Sequence, residues 1–296
     1  MKHRWILAAA TSAVAVAVGA CALKTEPAAA PQPVAAADAA TDEASATPVA
    51  DVPDRPASVI EAKADEIARA MCECLKNAKR FTFKTETSTD RRISTGGLVT
   101  LEANSDVAVR RPNALRVLRE STKGKRLFQY DGKTVTVLDV GRDLYAQADA
   151  PATIDDTLDA MEAKLGIVVP LSDLFCDDPY STFSDYADGG EWMGVHPVRG
   201  KQCDLIVYSN DVVDWQVWVA QDGPRVPLKF AITYKTERGS PRFVAHLYDW
   251  NLEAAVPDSE FAFKAPPGAS RIEIAARDAD AAQANEPVAP ATGEPR

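Results

Sequence analysis

Histidine is scarce in this chain of 296 residues, which holds only His3, His196 and His246. A histidine-based triad or a zinc site therefore has few parts to work with. The sequence also lacks His-Glu-x-x-His, Gly-x-Ser-x-Gly, Gly-x-Gly-x-x-Gly and a Walker loop. Neither an enzyme nor a bound cofactor or metal is expected. Positive charge is in deficit, with 33 Lys and Arg against 43 Asp and Glu and a formal net charge of −10, which argues for solubility and against nucleic acid as a partner. Long apolar runs are missing too. The main one, Trp5 to Ala20, is too short to span a bilayer with the usual margin.

That stretch follows Lys2 and Arg4 and has the pattern of a signal peptide. It ends in Val18-Gly19-Ala20-Cys21, which resembles a bacterial lipobox. Cys21 is then the expected site of lipidation, anchoring the protein to a membrane. Ordinary cleavage after Ala20, giving a soluble periplasmic protein, is the alternative. Ala22, where an Asp would retain the protein at the inner membrane, resembles the sorting signal for the outer membrane of a Gram-negative bacterium. A lipoprotein of the outer membrane facing the periplasm is expected. From Leu23 to Ser58 the chain is Ala, Pro, Thr and acidic residues without apolar periodicity, which cannot bury enough surface to offset ordering entropy. It reads as a tether, spanning roughly 35 Å as a coil and on the order of 100 Å if extended. The expected organisation is a signal peptide over 1–20, a lipidated cysteine and disordered tether over 21–58, one domain over 59–274, and a disordered tail over 275–296.

Within the domain, Ile60, Ala64, Ile67, Ala68, Met71, Leu75 and Ala78 recur at helical spacing and predict one amphipathic helix from Val59 to Lys79. Phe81 and Phe83 then alternate with Thr82 and Lys84. After a turn over Arg91 to Gly97, Val99, Leu101, Ala103, Ser105, Val107 and Val109 occupy one phase of a long strand. Asp131-Gly132, between Leu127–Tyr130 and Thr134–Leu138, is a hairpin signal. A helical interlude carries Ile154, Leu158, Met161 and Leu165 on one face, with Gly166 as its stop. Pro170 to Phe175 and Tyr180 to Tyr186 look like short helical turns. Strands resume at Cys203–Ser209, Val213–Ala220, Leu228–Lys235 and Phe243–Trp250, separated by turn residues. So many hairpins predict an α+β fold in which one large curved antiparallel sheet, an open half-barrel, has helices filling its concave side.

Several charged and sulfur groups stand out. Arg110, Arg111, Arg116, Arg119, Lys123, Lys125 and Arg126 form a basic run opposed only by Glu120. It reads first as a solvated outer sheet face, and second as a docking patch for anionic lipid or a protein. Asp155-Asp156 and Asp177-Asp178 sit where helix caps are expected, which outweighs a glycosidase-like pair. His246 alternates with Val244, Tyr248 and Trp250 and reads as a sheet residue with a local hydrogen bond. Cys72, Cys74, Cys176 and Cys203 allow three disulfide pairings, and Cys72 and Cys74 point to nearly opposite sides of a helix. A bridge between Cys176 and Cys203 would tie the helical interlude to the returning strands. Cys-x-Cys is not the spacing of a thiol oxidoreductase.

The segments Arg111-Pro112 to Val117, Phe128-Gln129-Tyr130-Asp131-Gly132-Lys133, Ala150-Pro151-Ala152-Thr153-Ile154-Asp155 through Phe175, Asp214-Trp215-Gln216-Val217-Trp218, and Phe261 through Ile272 resemble the predicted periplasmic proteins catalogued as DUF2092. The resemblance covers essentially the whole domain. That family is similar in plan to the lipoprotein carriers and receptors of the LolA and LolB type and to the lipid carrier LppX, which are half-closed antiparallel barrels plugged by helices. The resemblance implies an apolar cavity able to accept acyl chains, with a lipid or lipoprotein as cargo. Residues on the apolar strand phases would line it: Phe81, Phe83, Val107, Val109, Trp215, Val217, Leu228, Phe230, Ile232 and Tyr234. The other reading is a tethered envelope module whose core is filled by Met71, Leu75, Leu158 and Met161 and which binds no ligand.

Overall fold

The computed structural model describes residues 59–165 and 167–273. The signal peptide, Cys21, the tether, the expected helix stop at Gly166 and the tail from 274 onward lie outside the described residues.

The chain begins with β1 (Val59–Ile60) and α1 (Ala62–Asn77). A first meander follows: β2 (Arg80–Arg92), β3 (Leu98–Arg110), β4 (Ala114–Ser121), β5 (Gly124–Tyr130), β6 (Thr134–Asp139) and β7 (Leu144–Asp149). A crossover then carries α2 (Ile154–Leu165), a 3-10 turn (Ser172–Leu174) and α3 (Pro179–Ser184). A second meander comprises β8 (Gly189–Val198), β9 (Lys201–Ser209), β10 (Val213–Ala220), β11 (Pro227–Tyr234) and β12 (Arg242–Asn251), and the described chain closes with β13 (Ser270–Arg271).

All the strands belong to one sheet of 13, in the order β1-β8-β9-β10-β11-β12-β2-β3-β4-β5-β6-β7-β13. It is open, mostly sheet with few helices, as the α+β half-barrel reading requires. The two meanders join through the antiparallel pairing of β12 with β2. The sheet is mixed rather than purely antiparallel, because β1 lies parallel to β8 and β13 parallel to β7. These two short pairings explain a further difference from expectation. Val59 and Ile60 are strand and not the start of the helix: the Val59 amide donates to Asp188 O and the Glu61 amide to Gly190 O, partnering backbone that an edge would otherwise leave exposed.

Local chemistry accounts for the elements. Helix α1 buries Ala64, Ile67, Ala68, Met71, Cys72 and Leu75, a stripe at three- and four-residue spacing, with Asp65 in its first turn and Lys76 in its last. Helix α2 is capped by Thr153, whose Oγ1 accepts from the Asp156 amide at 3.1 Å while donating to the Asp156 carboxylate at 2.7 Å. Of the pair Asp155-Asp156 expected at this cap, Asp156 takes part in it, and Asp155 Oδ2 instead accepts from the Asp177 amide at 3.0 Å. Asp178 holds the cap position of α3 but makes no side-chain cap bond. Between β5 and β6, Asp131 Oδ1 accepts from the amides of Lys133 and Thr134. Gly132 there has φ of +96°, and a Cβ on it would lie 3.1 Å from Asn113 O, so only glycine fits.

The crossover runs from β7 to β8, which lie near opposite edges of the sheet, and therefore traverses its inner face. Arg69 and Tyr180 help fix it against α1. Tyr180 donates to Asp65, and Arg69 lies over the Tyr180 ring at 4.0 Å. Past β12 the chain crosses the other, outer face as a strap. Arg80 Nη1 donates to Val256 O, Arg110 pairs with Asp258 at 2.7 Å, and Gln129 Nε2 donates to Glu260 O. The strap seals a small apolar cluster of Ala108, Ala114, Ala254, Val256 and Phe261.

Candidate functional site

The inner face follows directly from strand register. Phe81 stands opposite Val109, and Phe83 opposite Val107, across β2 and β3. In the second meander Trp215 faces Ile232 and Val217 faces Phe230. The ten residues assigned to a hydrophobic lining, Phe81, Phe83, Val107, Val109, Trp215, Val217, Leu228, Phe230, Ile232 and Tyr234, are all at most 7% exposed. They share one core with Met71 and Leu75 of α1 and Leu158 and Met161 of α2. Helices occupy the inner face above them.

Space remains at one end. A cleft of about 750 Å³ lies between the β8–β9 turn, the β10–β11 turn and the end of β12. Its apolar wall is Val198, Val226, Leu228, Leu247, Trp250 and Leu252, and its rim carries Arg199, Lys201, Asp222 and Glu253. A β-bulge builds that wall. The register with β2 shifts between Tyr248 and Asn251, and Asp249 takes φ of +53°, which changes the phase of the strand. Trp250 consequently stacks on Phe83 at 4.3 Å, with Phe81 at 6.3 Å, and its Nε1 donates to Pro227 O at 3.0 Å. Strict alternation places Trp250 with His246 and Tyr248, so no period-two reading could have assigned it to the interior. Arg199 pairs with Glu86 and lies 4.6 Å from the Tyr248 ring. A second cavity of about 350 Å³ sits beneath the strap, touching Phe83, Val107, Ala108, Arg116, Val256 and Pro257. Of the ten lining residues, then, Leu228 reaches the first cavity and Phe83 and Val107 the second.

The basic run does not form one surface. Alternation sends Arg110 and Arg116 outward to the strap, onto Asp258 at 2.7 Å and Glu260 at 3.7 Å. Arg111 turns inward and donates to Phe175 O, Cys176 O and Leu75 O. Lys125 pairs with Glu120 at 3.5 Å and Arg126 with Asp139 at 3.8 Å. Arg119 donates to Thr87 Oγ1 at 3.5 Å, and Arg119, Lys123 and Arg126 line a third cavity of about 160 Å³.

The Cys176–Cys203 bridge is not formed, and none of Cys72, Cys74, Cys176 and Cys203 is in a disulfide. Cys176 sits at the start of the α3 region, donating to Asp173 O at 3.1 Å, whereas Cys203 lies in β9 opposite His196 and Ala220. Burial pushes the Cys72 thiol far above its ordinary pKa, so it is an inert thiol rather than a nucleophile. A local hydrogen bond is expected of His246; its Nδ1 has no hydrogen-bond partner among the described residues. Burial, with Lys229 and Arg199 nearby, holds its pKa below the usual value. Among the described residues no group of three or more His, Cys, Asp or Glu is placed to hold a metal ion.

A family model described as "Predicted periplasmic protein (DUF2092)" matches residues 64–275. Among solved structures, the lipoprotein LppX of Mycobacterium tuberculosis is 14% identical, with 67% of this chain and 100% of that chain covered and a TM-score of 0.42. LprF of Mycobacterium bovis is 10% identical, with 67% and 97% covered and a TM-score of 0.42. A LolA superfamily protein of Nitrosomonas europaea is 12% identical, with 68% and 97% covered and a TM-score of 0.31. No curated protein matches the chain.

Proposed function

We propose, from the premise that this chain belongs to the DUF2092 family of predicted periplasmic proteins, that it is a lipid-anchored periplasmic protein that binds or transfers a hydrophobic ligand: an acyl chain, a lipid or a lipoprotein. The observation that carries the reading is the cleft of about 750 Å³ walled by Leu228, Leu247, Trp250 and Leu252. Its size falls within the roughly 300–1,000 Å³ of ordinary ligand sites, and its charged groups, Arg199, Lys201, Asp222, Asp249 and Glu253, accompany an apolar wall that would supply affinity by contact. The lining contains no histidine, cysteine or serine, which supports a binding protein over an enzyme. The ligand-binding role is tested by native mass spectrometry of the delipidated protein after exposure to phospholipids, fatty acids and lipopeptides. Retention of one class is expected, with loss on Leu252→Trp, a substitution that fills the cleft. Failure to retain any class overturns the reading.

Cys21 is the proposed anchor, with Ala22 directing it to the outer membrane. The tether would then meet the domain at β1, on the β8 edge. Cys21→Ser is expected to move the protein from the membrane fraction to the soluble periplasm with its fold unchanged. Persistence in the membrane fraction defeats the anchor, leaving the cleft untouched.

One observation favours a second reading. The ten proposed lining residues pack with Met71, Leu75, Leu158 and Met161 in a single core, as a filled interaction or structural module requires. The same mass-spectrometric experiment separates the two.

A further inference from the structure

Away from the cleft, toward the other end of β2, the inner face changes character. Its register row runs Thr85, Ser105, Arg119, Arg126, Asp139 across five strands. The row before it is Phe83, Val107, Val117, Phe128, Val137. An apolar surface therefore gives way, within one pleat, to a row with two guanidinium groups. Arg126 has Asp139 at 3.8 Å, a carboxylate it shares with Arg142 at 3.9 Å. Arg119 has less. Among the described residues no carboxylate lies within ion-pair distance of it, and its single side-chain bond, to Thr87 Oγ1, is long at 3.5 Å. That hydroxyl is itself buried and donates to Ala103 O. Arginine carries five donors, and burying a cation without an anion is costly. Burial pulls the Arg119 pKa below its ordinary value, with no neighbouring charge to offset it.

The space beside this group is a cavity of about 160 Å³ whose lining includes Arg91, Arg119, Lys123 and Arg126, with Leu101 and Val168 as apolar wall. Four cations line it, of which Arg126 is paired with Asp139 and Arg91 lies in the field of Glu237. Its volume suits a headgroup and not a chain. Leu101 continues along β3, on the same phase, to Val99, which is exposed at the hairpin tip together with Ile93 and Leu98. A polar pocket thus opens onto an apolar strip.

We infer that this pocket is a binding site for the anionic headgroup of an amphiphile, with Arg119 donating to the carboxylate or phosphate oxygens and the tail lying along Leu101 toward the β2–β3 tip. Charge-assisted, forked donation to an oxyanion is what a guanidinium does best. The site is separate from the cleft, so it stands whether or not the cleft binds ligand.

The test is calorimetric titration of the full mature chain with four probes: decanoate, decyl phosphate, decanol and inorganic phosphate. At least one of the two anionic amphiphiles should bind at least about tenfold more tightly than decanol and than inorganic phosphate, about 1.4 kcal/mol. Preference for decanoate assigns a fatty acid, and preference for decyl phosphate a phospholipid. Arg119→Gln should reduce both to the level of decanol, and Arg119→Lys should restore part of the difference. Arg119→Met should raise the thermal midpoint of the free protein, since it removes a half-buried cation that has no carboxylate partner among the described residues. Decanol binding as well as the anions, or unchanged binding by Arg119→Gln, overturns the proposal. Inorganic phosphate binding as tightly as decyl phosphate overturns the amphiphile. If Arg119→Gln fails to fold, the probe series on Leu252→Trp, whose cleft is filled, decides the matter. Leu252→Trp should remove binding at the cleft but leave the share of the anionic preference that Arg119→Gln abolishes, so failure of the cleft and failure of this pocket are read separately.

Discussion

Asp204 shows how a buried charge can be held in this fold. It is 5% exposed and accepts from Arg225 Nη2 at 2.8 Å, Gln221 Nε2 at 2.9 Å and Trp192 Nε1 at 3.2 Å. Burial pushes its carboxyl pKa up, but the three donors, led by Arg225, outweigh burial and hold it below the usual value. Asp204→Asn should cost about 2–3 kcal/mol at pH 7, because it leaves the half-buried Arg225 against a neutral acceptor. Since the folded-state pKa is depressed, the stabilisation is fully present above the unfolded value of about 4 and is lost as pH falls through the lower folded value. Urea melts should therefore show a gap between wild type and Asn variant that narrows below about pH 4. A gap independent of pH would mean that the charge is not what stabilises. Arg111 works differently, on carbonyls: its guanidinium joins Leu75 O in the last turn of α1 to Phe175 O and Cys176 O in the crossover. Arg111→Met should cost about 3 kcal/mol by leaving three acceptors unpaired, and Arg111→Lys, lacking the planar fork, should recover less than half. Urea midpoints check both.

Among the elements, the strap is held by one large anchor. Phe261 is 1% exposed, packs with four small or branched residues, and has Arg110 over its ring at 5.5 Å. Phe261→Ala should cost about 3 kcal/mol, felt locally because the strap is peripheral. Amide exchange over residues 256–263 should accelerate by about 100-fold with the sheet's central strands little affected. Equal acceleration throughout would show that the strap folds with the sheet. The strap also explains why part of the design was illegible. Arg110 and Arg116 look like a solvated basic face until Asp258 and Glu260, some 140 residues further along the chain, return to cover them. Regular elements were readable: α1 from its stripe, β5–β6 from Asp131-Gly132, and β9 to β12 from alternation between turns. β8 was not, since Gly189, Gly190, Gly194 and Pro197 interrupt it and its register shifts between Trp192 and Val195. The cleft was hidden for the same reason, because the bulge at Asp249 reverses the phase that would have kept Trp250 outside. Alternation reports burial only while the register is unbroken. Where it is unbroken it can still mislead, as at Arg119, whose inward phase agrees with Val117 and whose chemistry does not.

At the scale of the whole molecule, the chain path makes two meanders into one body. The crossover spans the inner face from β7 to β8, α1 packs against β8, β9 and α3, and one continuous core contains Phe81 and Tyr130 from the first meander and Trp215 and Ile232 from the second. Neither meander can bury its inner face without the helices that the other also uses. Unfolding one should therefore expose the core of the other, which favours a single cooperative transition despite the size of the sheet. The sequence supplies a natural probe of this. Trp192, Trp215, Trp218 and Trp250 all lie in β8 to β12, and β2 to β7 contain no tryptophan. Tryptophan fluorescence is thus weighted to the second meander, with Trp250 also sensing the seam through its stack on Phe83, whereas far-ultraviolet circular dichroism reports both. In urea the two signals should give one midpoint and one slope, because slope scales with the surface exposed in the transition. A fluorescence transition displaced from the dichroism transition would mean that the β12–β2 seam separates two folding units. In that case a ligand or membrane contact on one meander could not stabilise the other. With a single transition, a ligand in the cleft beside β12 or at Arg119 on β4 raises the midpoint of every strand, so either site can be scored by one thermal shift.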